Sequence, residues 1–228
     1  MNDDTYALKK GEIMSVVVAI KENGKVYIGA DSQVTKGGTR TTLKNENNYK
    51  VWRVIGAPHC LMAQVGNLRD ANVVRLMRDL VTDYNIYREH IGFDFVVKKV
   101  VPDIVEELTR YNLLKDGEKT EVLDSSFLFA YKDQVWVIGQ DKSVIEIEDY
   151  VSIGSGSDQA IGSLLSTEGQ DPRQRIVKAI KSSAASDIYV DYPIILTDTE
   201  NGEFDIITEK NEGKYLGEKK KKENSNQS

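Results

Sequence analysis

Met14-Ser15-Val16-Val17-Val18-Ala19-Ile20-Lys21-Glu22-Asn23-Gly24-Lys25-Val26-Tyr27-Ile28-Gly29-Ala30-Asp31-Ser32-Gln33-Val34-Thr35 decides how this chain is read. The stretch divides into two strands, Ser15–Ile20 and Lys25–Ala30, about a turn at Glu22-Asn23-Gly24. Asn-Gly accepts the positive φ angles that a tight hairpin turn demands. The first strand is apolar at nearly every position, which predicts a strand covered on both faces. Ser15 leads that strand directly after a methionine, and an acid, Asp31, ends its partner. Were the chain to begin at Ser15, one residue would carry both a hydroxyl and a free α-amine.

The 228 residues suit one domain with a well-buried core. A formal net charge of −6 gives nucleic-acid binding no electrostatic support. The basic run Lys219–Lys222 sits in a polar end, residues 211–228, which reads as a disordered charged tail. A single cysteine, Cys60, excludes an internal disulfide framework and fits a reducing compartment. It lies in the apolar run Cys60-Leu61-Met62-Ala63, as a buried inert thiol would. Two histidines, His59 and His90, without a Cys/His cluster leave no structural zinc site. No apolar run approaches the roughly 20 residues that span a bilayer. The acidic start Met1-Asn2-Asp3-Asp4-Thr5 is unlike a secretory signal. The expectation is a cytoplasmic protein with neither a membrane nor a nucleic-acid partner.

Residues 1–14 are polar and aperiodic, like a leader. Ser32–Asn48, rich in Thr, Gly and Asn, reads as an irregular loop. Lys50–Ile55 and His59–Val65 are strand candidates, and Asn67 caps a helix expected over Asn67–Tyr84. A second helix is expected over Phe93–Leu114, starting or kinking at Pro102, before a polar turn at Lys115–Lys119. Strands follow at Ser125–Tyr131, Gln134–Gly139, Val144–Ile147 and Val151–Gly154. Helices are then expected at Gln159–Leu165, capped by Ser157 or Asp158, and at Arg173–Ala185, opened by Asp171-Pro172. Tyr192–Thr197 and Glu203–Thr208 close the chain as a hairpin. Separate runs of strands and helices indicate antiparallel sheets with helices in their own layers, an α+β class. Two sheets face to face with a helix pair outside each, an αββα sandwich, satisfy this order and the apolar first strand.

Several chemistries are excluded by their missing motifs. Gly154-x-Gly156 lacks the third glycine and the βαβ setting of a phosphate loop. Ser155 lies outside any Gly-x-Ser-x-Gly frame, and there is no His-Glu-x-x-His. What remains is a hydroxyl nucleophile that uses its own α-amine as general base. An unperturbed α-amine has a pKa of about 7.7–8.0, so it accepts a proton near neutrality. A nearby lysine would favour the neutral amine, and an acid would keep that lysine charged. Lys50 and Asp31, both at strand ends near the hairpin, are the candidates.

These residues carry a resemblance. Ser15-Val-Val-Val-Ala-Ile, Asn23-Gly24 and Ile28-Gly-Ala-Asp31-Ser-Gln-Val-Thr35 follow the opening pattern of the proteasome β-subunit family, and within it of HslV-type bacterial peptidases. Lys50-Val51-Trp52-Arg53 resembles the block with the family's catalytic lysine. Val65-Gly66-Asn67-Leu68-Arg69-Asp70-Ala71 resembles its Ala-Gly-x-x-Ala-Asp block, whose glycine N–H meets the oxyanion; by resemblance that is Gly66. Ile153-Gly154-Ser155-Gly156 resembles the turn whose serine, here Ser155, hydrogen-bonds near the nucleophile's amine. The match spans roughly Ser15 to Thr197. It implies a four-layer αββα sandwich, peptide-bond hydrolysis through an acyl-enzyme, a homo-oligomeric ring, an AAA+ ATPase unfoldase as partner and unfolded polypeptide as substrate. No cofactor is implied beyond an alkali cation such as sodium.

The chain departs from the family in three places. Serine stands where most members have threonine. The family's Arg-Asp-x-Tyr-Ser block is here Ser186-Asp187-Ile188-Tyr189-Val190-Asp191-Tyr192. One register matches Asp187 to the family's catalytic acid. Another matches Ser186, Tyr189 and Tyr192 to backbone positions that bind the alkali cation. Thirteen residues and Met14 also precede Ser15. They are either a propeptide cut between Met14 and Ser15 or the product of a misplaced start. The second is favoured because Lys9-Lys10-Gly11-Glu12-Ile13 can be encoded with a GGAG ribosome-binding sequence just before Met14. The peptidase domain then runs from 15 to 210. A non-catalytic scaffold subunit of the same fold and a small-molecule N-terminal-nucleophile amidase are the competing readings.

Overall fold

A computed structural model of the chain describes residues 14–36, 38–82, 90–117 and 120–217. Strands β1 (Val17–Glu22) and β2 (Lys25–Ala30) form the expected hairpin, in register from Val17–Ala30 to Glu22–Lys25. Its two-residue turn, Asn23-Gly24, has φ of 56° and 73°, the pair of positive angles that follows the strand twist. Alternate residues go to different cores. Val16, Val18 and Ile20 pack on the helix side, whereas Val17 and Ala19 pack between the sheets. A period of two with both faces covered is why this strand is apolar throughout.

The hairpin lies within a five-stranded sheet whose other members are β12 (Tyr150–Ile153), β13 (Ile194–Asp198) and β14 (Asp205–Ile207), in the order β12-β1-β2-β13-β14. The facing sheet is built from β5 (Val51–Arg53), β6 (Cys60–Gly66), β9 (Ser125–Tyr131), β10 (Gln134–Ile138) and β11 (Val144–Glu146), in the order β11-β10-β9-β6-β5. Outside the second sheet lie α1 (Leu68–Val74) and α2, a helix that starts at Phe93–Phe95, passes through a π-helical turn at Val96–Val100 and ends as Val101–Arg110. Outside the first lie α3 (Ser157–Ser166) and α4 (Pro172–Ala184). Three apolar cores separate the four layers. This is the αββα sandwich that the element order and the resemblance both indicate.

Helix starts follow local chemistry. Asn67 caps α1 through a bond from Arg69 N to its side chain, and Asp171 caps α4 through Gln174 N. α3 starts at Ser157, two residues earlier than expected, and its N-cap is Gly156, without a side-chain cap, rather than Ser157 or Asp158. Pro102 neither starts nor breaks α2. The wider π turn just before it accommodates a ring that lacks an N–H and crowds the preceding turn.

Four expectations are corrected. Ser32–Asn48 is not an irregular loop: β3 (Gln33–Lys36) pairs with β4 (Thr39–Thr42), and a 3₁₀ turn follows at Glu46–Asn48. The β-branched residues Val34, Thr35, Thr39, Thr41 and Thr42 favour that hairpin despite its polarity. The helix expected over Asn67–Tyr84 ends at Val74. There the Arg75 guanidinium bonds the carbonyls of Ala71, Glu46 and Tyr49, while Leu80 and Val81 enter the core as irregular chain; Tyr84 lies outside the described residues. Lys115–Asp116 (β7) is a strand paired with Glu121–Val122 (β8), not simply a turn. The segment read as a tail begins with a helix, α5 (Gly213–Leu216), because Tyr215 and Leu216 pack on the helix-side core and Glu212 pairs with Lys181. The leader up to residue 13 and the tail from 218 lie outside the described residues. Among the described residues, no helix is long and apolar enough to cross a membrane.

Ile180 is 1% exposed in the helix-side core, whereas Leu165 is 62% exposed. Ile180→Ala is expected to lower unfolding free energy by about 2–5 kcal/mol. Leu165→Ala should change it by about 0.5 kcal/mol or less in the same urea titrations.

Candidate active site

Strand ends from both sheets converge at one edge of the sandwich. Ser15 precedes β1, Asp31 follows β2, Lys50 precedes β5, Gly66 ends β6, and Ser155 lies between β12 and α3. Hairpin pairing brings the first two together: Asp31 N donates to Val16 O at 3.2 Å, and Val16 N donates to Asp31 Oδ1 at 3.0 Å. Lys50 reaches across from the second sheet. Its Nζ donates to Ser15 Oγ at 2.6 Å, to both Asp31 oxygens at 2.8 Å and to Gln33 O at 2.6 Å. Ser15 is 5% exposed, Asp31 0% and Lys50 4%. Burial pulls the Lys50 pKa below the ordinary lysine value; Asp31 beside it, and Asp187 more weakly, pull it back up.

Backbone geometry holds Ser15 from the other side. Ser15 N donates to Ser155 Oγ at 3.1 Å, Ser155 Oγ donates to Ser15 O at 3.4 Å, and Gly156 N donates to Ser15 O at 3.3 Å. Gly154 has φ of 107°, and a Cβ there would lie 2.1 Å from Ser15 O. Only glycine fits that approach. Ser15 itself has φ of 138°, a backbone conformation unusual for a residue with a side chain.

Gly66 faces this group across a cavity of about 450 Å³, lined also by Ser15, Lys50, Gln64 and Tyr189. Its φ is 118°, and a Cβ would meet Asp124 O at 2.6 Å. Asp187 sits between α4 and β13. Tyr189 N donates to its Oδ1 at 2.8 Å, and its Oδ2 is buried with no hydrogen-bond partner. Asp187 thus belongs to the electrostatic surroundings of Lys50, while Tyr192 turns its hydroxyl to Glu212 and Ser186 is exposed. Among the described residues, no three His, Cys, Asp or Glu side chains cluster to hold a metal.

Two contributors escaped sequence reasoning. The Gln33 carbonyl accepts from Lys50, and Gln33 N donates to Asp31 Oδ2 at 2.9 Å. The second bond had a signal, since Asp commonly bonds the backbone N–H two residues on. The other is Ser125, whose Oγ binds Asn67 N and Asp70 behind Gly66. A buried cation on a serine hydroxyl, with a glycine across the cavity, is an arrangement suited to acyl transfer.

Facing antiparallel sheets between helix layers, with a hydroxyl residue heading a central strand, define the N-terminal nucleophile hydrolases. Within that class, the chain belongs to the proteasome subunit family, whose model matches residues 14–189. It is 28% identical over 196 residues to the ATP-dependent protease subunit HslV of Borreliella burgdorferi strain ZS7, covering 82% of this chain and 97% of that one. Among solved structures it is similar to Thiobacillus denitrificans BPH, with a TM-score of 0.63, 16% identity and coverage of 85% of this chain and 99% of the other. It is also similar to HslV from Trypanosoma brucei, with a TM-score of 0.58, 17% identity and coverage of 80% and 98%.

Asp31→Asn leaves the buried Lys50 without its counter-charge and is expected to cost about 3–5 kcal/mol. Lys98→Ala, which removes an ion pair with side chains 74% and 81% exposed, should leave the unfolding midpoint unchanged. Urea unfolding of both variants checks the contrast.

Proposed function

We propose that this chain is an endopeptidase subunit of a self-compartmentalising, proteasome-like protease, with Ser15 as nucleophile and the Ser15 α-amine as base. The observation that carries this reading is the buried Lys50 ammonium, bonded at once to Ser15 Oγ and to Asp31. With Met14 removed, the amine takes the Oγ proton as Oγ bonds to the scissile carbonyl carbon. Charge collects on the carbonyl oxygen, where the Gly66 N–H is the proposed donor. Collapse breaks the C–N bond, and the leaving amine departs with the proton that the α-amine held. Water then attacks the serine ester, the α-amine takes its proton and returns it to Oγ, and a carboxylic acid is released. Lys50 favours both the neutral amine and the developing alkoxide, and Asp31 keeps Lys50 charged against the effect of burial. Ser155, already bonded to Ser15 N, would orient the freed amine. Asp187 adds a second negative group facing Lys50.

Activity requires the Met14–Ser15 bond to be cut, either by self-cleavage or by methionine removal after translation from Met14. The Ser15 φ of 138° puts strain of about 1–3 kcal/mol next to that bond. A homo-oligomeric ring, an AAA+ ATPase unfoldase, unfolded polypeptide as substrate and a cytoplasmic setting complete the reading. In its support, the Borreliella relative is named as an ATP-dependent protease subunit. An alkali cation on the carbonyls of Ser186, Tyr189 and Tyr192 is compatible with an all-oxygen donor set, and the steps above do not pass through it.

Protein produced to begin at Ser15 is expected to hydrolyse a fluorogenic peptide. Ser15→Ala should lower the rate by about 10³-fold or more and Lys50→Met by a similar factor, with Ser15→Thr still active. Equal rates in the parent and Ser15→Ala would sink the mechanism. A parent inert to peptides would point to a scaffold subunit, and hydrolysis confined to small amides to an amidase. N-terminal sequencing of protein from its native host should read Ser15 first; an intact Met1 or Asn2 would contradict the active form.

A further inference from the structure

Behind Gly66 lies a buried carboxylate that the hydrolytic steps do not use. Asp70, in the first turn of α1, is 0% exposed, and its Oδ1 has no hydrogen-bond partner. Its Oδ2 accepts from Ser125 Oγ at 2.8 Å. Ser125 Oγ in turn accepts from Gln64 Nε2 at 2.8 Å and from Asn67 N at 3.1 Å. That Asn67 N–H belongs to the peptide unit joining Gly66 to Asn67. Ser125 also walls Gly66 in, since a Cβ there would lie 2.9 Å from Ser125 Cα and 3.0 Å from its Oγ. One serine therefore both confines Gly66 and grips the peptide that follows it.

A hydroxyl carries a single proton to donate. While Asp70 is ionised it can only accept, so Ser125 sends its proton there and keeps its lone pairs for Gln64 and Asn67. The other acceptor near Ser125 Oγ, Asn67 O, is more distant at 3.4 Å. A protonated Asp70 would offer its own O–H to Ser125 and compete with the Asn67 N–H. The peptide beside Gly66 would then keep only its longer bond, from Asn67 N to Asp124 O at 3.4 Å.

We propose that ionised Asp70 is a positioning residue, acting through Ser125 to hold the Gly66–Asn67 peptide so that the Gly66 N–H meets the oxyanion. The role rests on the peptidase reading of the site. Burial pushes the Asp70 carboxyl up to about 6, and Asp124 adds to the rise. The Ser125 hydrogen bond, Lys115 and Arg69 work against it. Lys115 is itself paired with Asp124, and Arg69 is exposed. Asp70 therefore changes charge within the range where a peptidase is assayed. The effect on stability has the opposite sign. The folded state takes up this proton below about 6, whereas an unfolded aspartate does so only near 3.9, so acidification between those values stabilises the fold through Asp70. Catalysis weakens while this contribution to stability grows, which a purely structural acid would not produce.

Proteins beginning at Ser15 test the role. In the parent, kcat should show an acid break near 6 in addition to the break of the α-amine. Asp70→Asn should remove the break near 6, reduce kcat about tenfold near neutral pH and leave KM within about twofold. Ser125→Ala should do the same, and the double variant should be no worse than either single one. Independently of turnover, infrared difference spectra of the Ser15→Ala protein should show a protonated-carboxyl band appearing near pH 6 that is absent when Asp70→Asn is added. An Asp70→Asn enzyme with unchanged kcat and both breaks overturns the proposal, as does a loss carried by KM. If either variant fails to fold, the infrared band still decides, and its absence overturns the proposal. No turnover in the parent refutes the peptidase reading and this role with it; turnover without the band refutes this role alone.

Discussion

One buried ammonium ties the two sheets together at the edge where chemistry can occur. Lys50 enters from the head of β5, yet its partners Asp31, Ser15 and Gln33 all belong to or adjoin the β1–β2 hairpin. Taking a lone ammonium out of water costs several kcal/mol, so the sandwich closes well only when those partners arrive in the right places. Sheet offset, hairpin register and the Asp31 turn are thereby coupled to one side chain. The same coupling sets the electrostatics, because Asp31 opposes what burial does to Lys50.

The fold was legible wherever local chemistry and long-range packing point the same way. Asn23-Gly24 needs positive φ at both positions and has it. The apolar run of β1 announces two covered faces, and two cores cover it. Asp171-Pro172 starts α4 because an acceptor and a preset φ suffice for a helix start. Legibility failed where distant groups decide. Helical periodicity runs past Val74, but carbonyls of Glu46 and Tyr49, far back in the chain, capture Arg75 and the helix ends. Tyr215 and Leu216 look like part of a charged tail until the core that receives them is built.

The site divides along a similar line. Ser15, Asp31 and Lys50 sit at strand ends, and the hairpin pattern alone places Ser15 and Asp31 side by side. Side chains with distinctive chemistry advertise themselves in this way. A backbone carbonyl such as that of Gln33 has no residue-type signature, and Ser125 is one serine among many until Gly66 is seen resting against it. The two registers of Ser186–Tyr192 could not be separated from spacing alone, because Asp and Tyr recur there. Asp187 acting on Lys50 is a through-space relation, invisible along the chain.

Strand β1 has a further property that follows from its two covered faces. Val17 and Ala19 point to one core and Val16 and Val18 to the other, so the strand cannot slide by a single residue without exchanging every side chain between them. The strand works as a ruler whose zero mark is the peptide nitrogen of Ser15. Packing far inside the molecule thereby fixes where the Ser15 nitrogen sits at the cavity. A terminus that carries reactivity must not fray, and under the mechanism proposed above Ser15 would be held by the most constrained strand available.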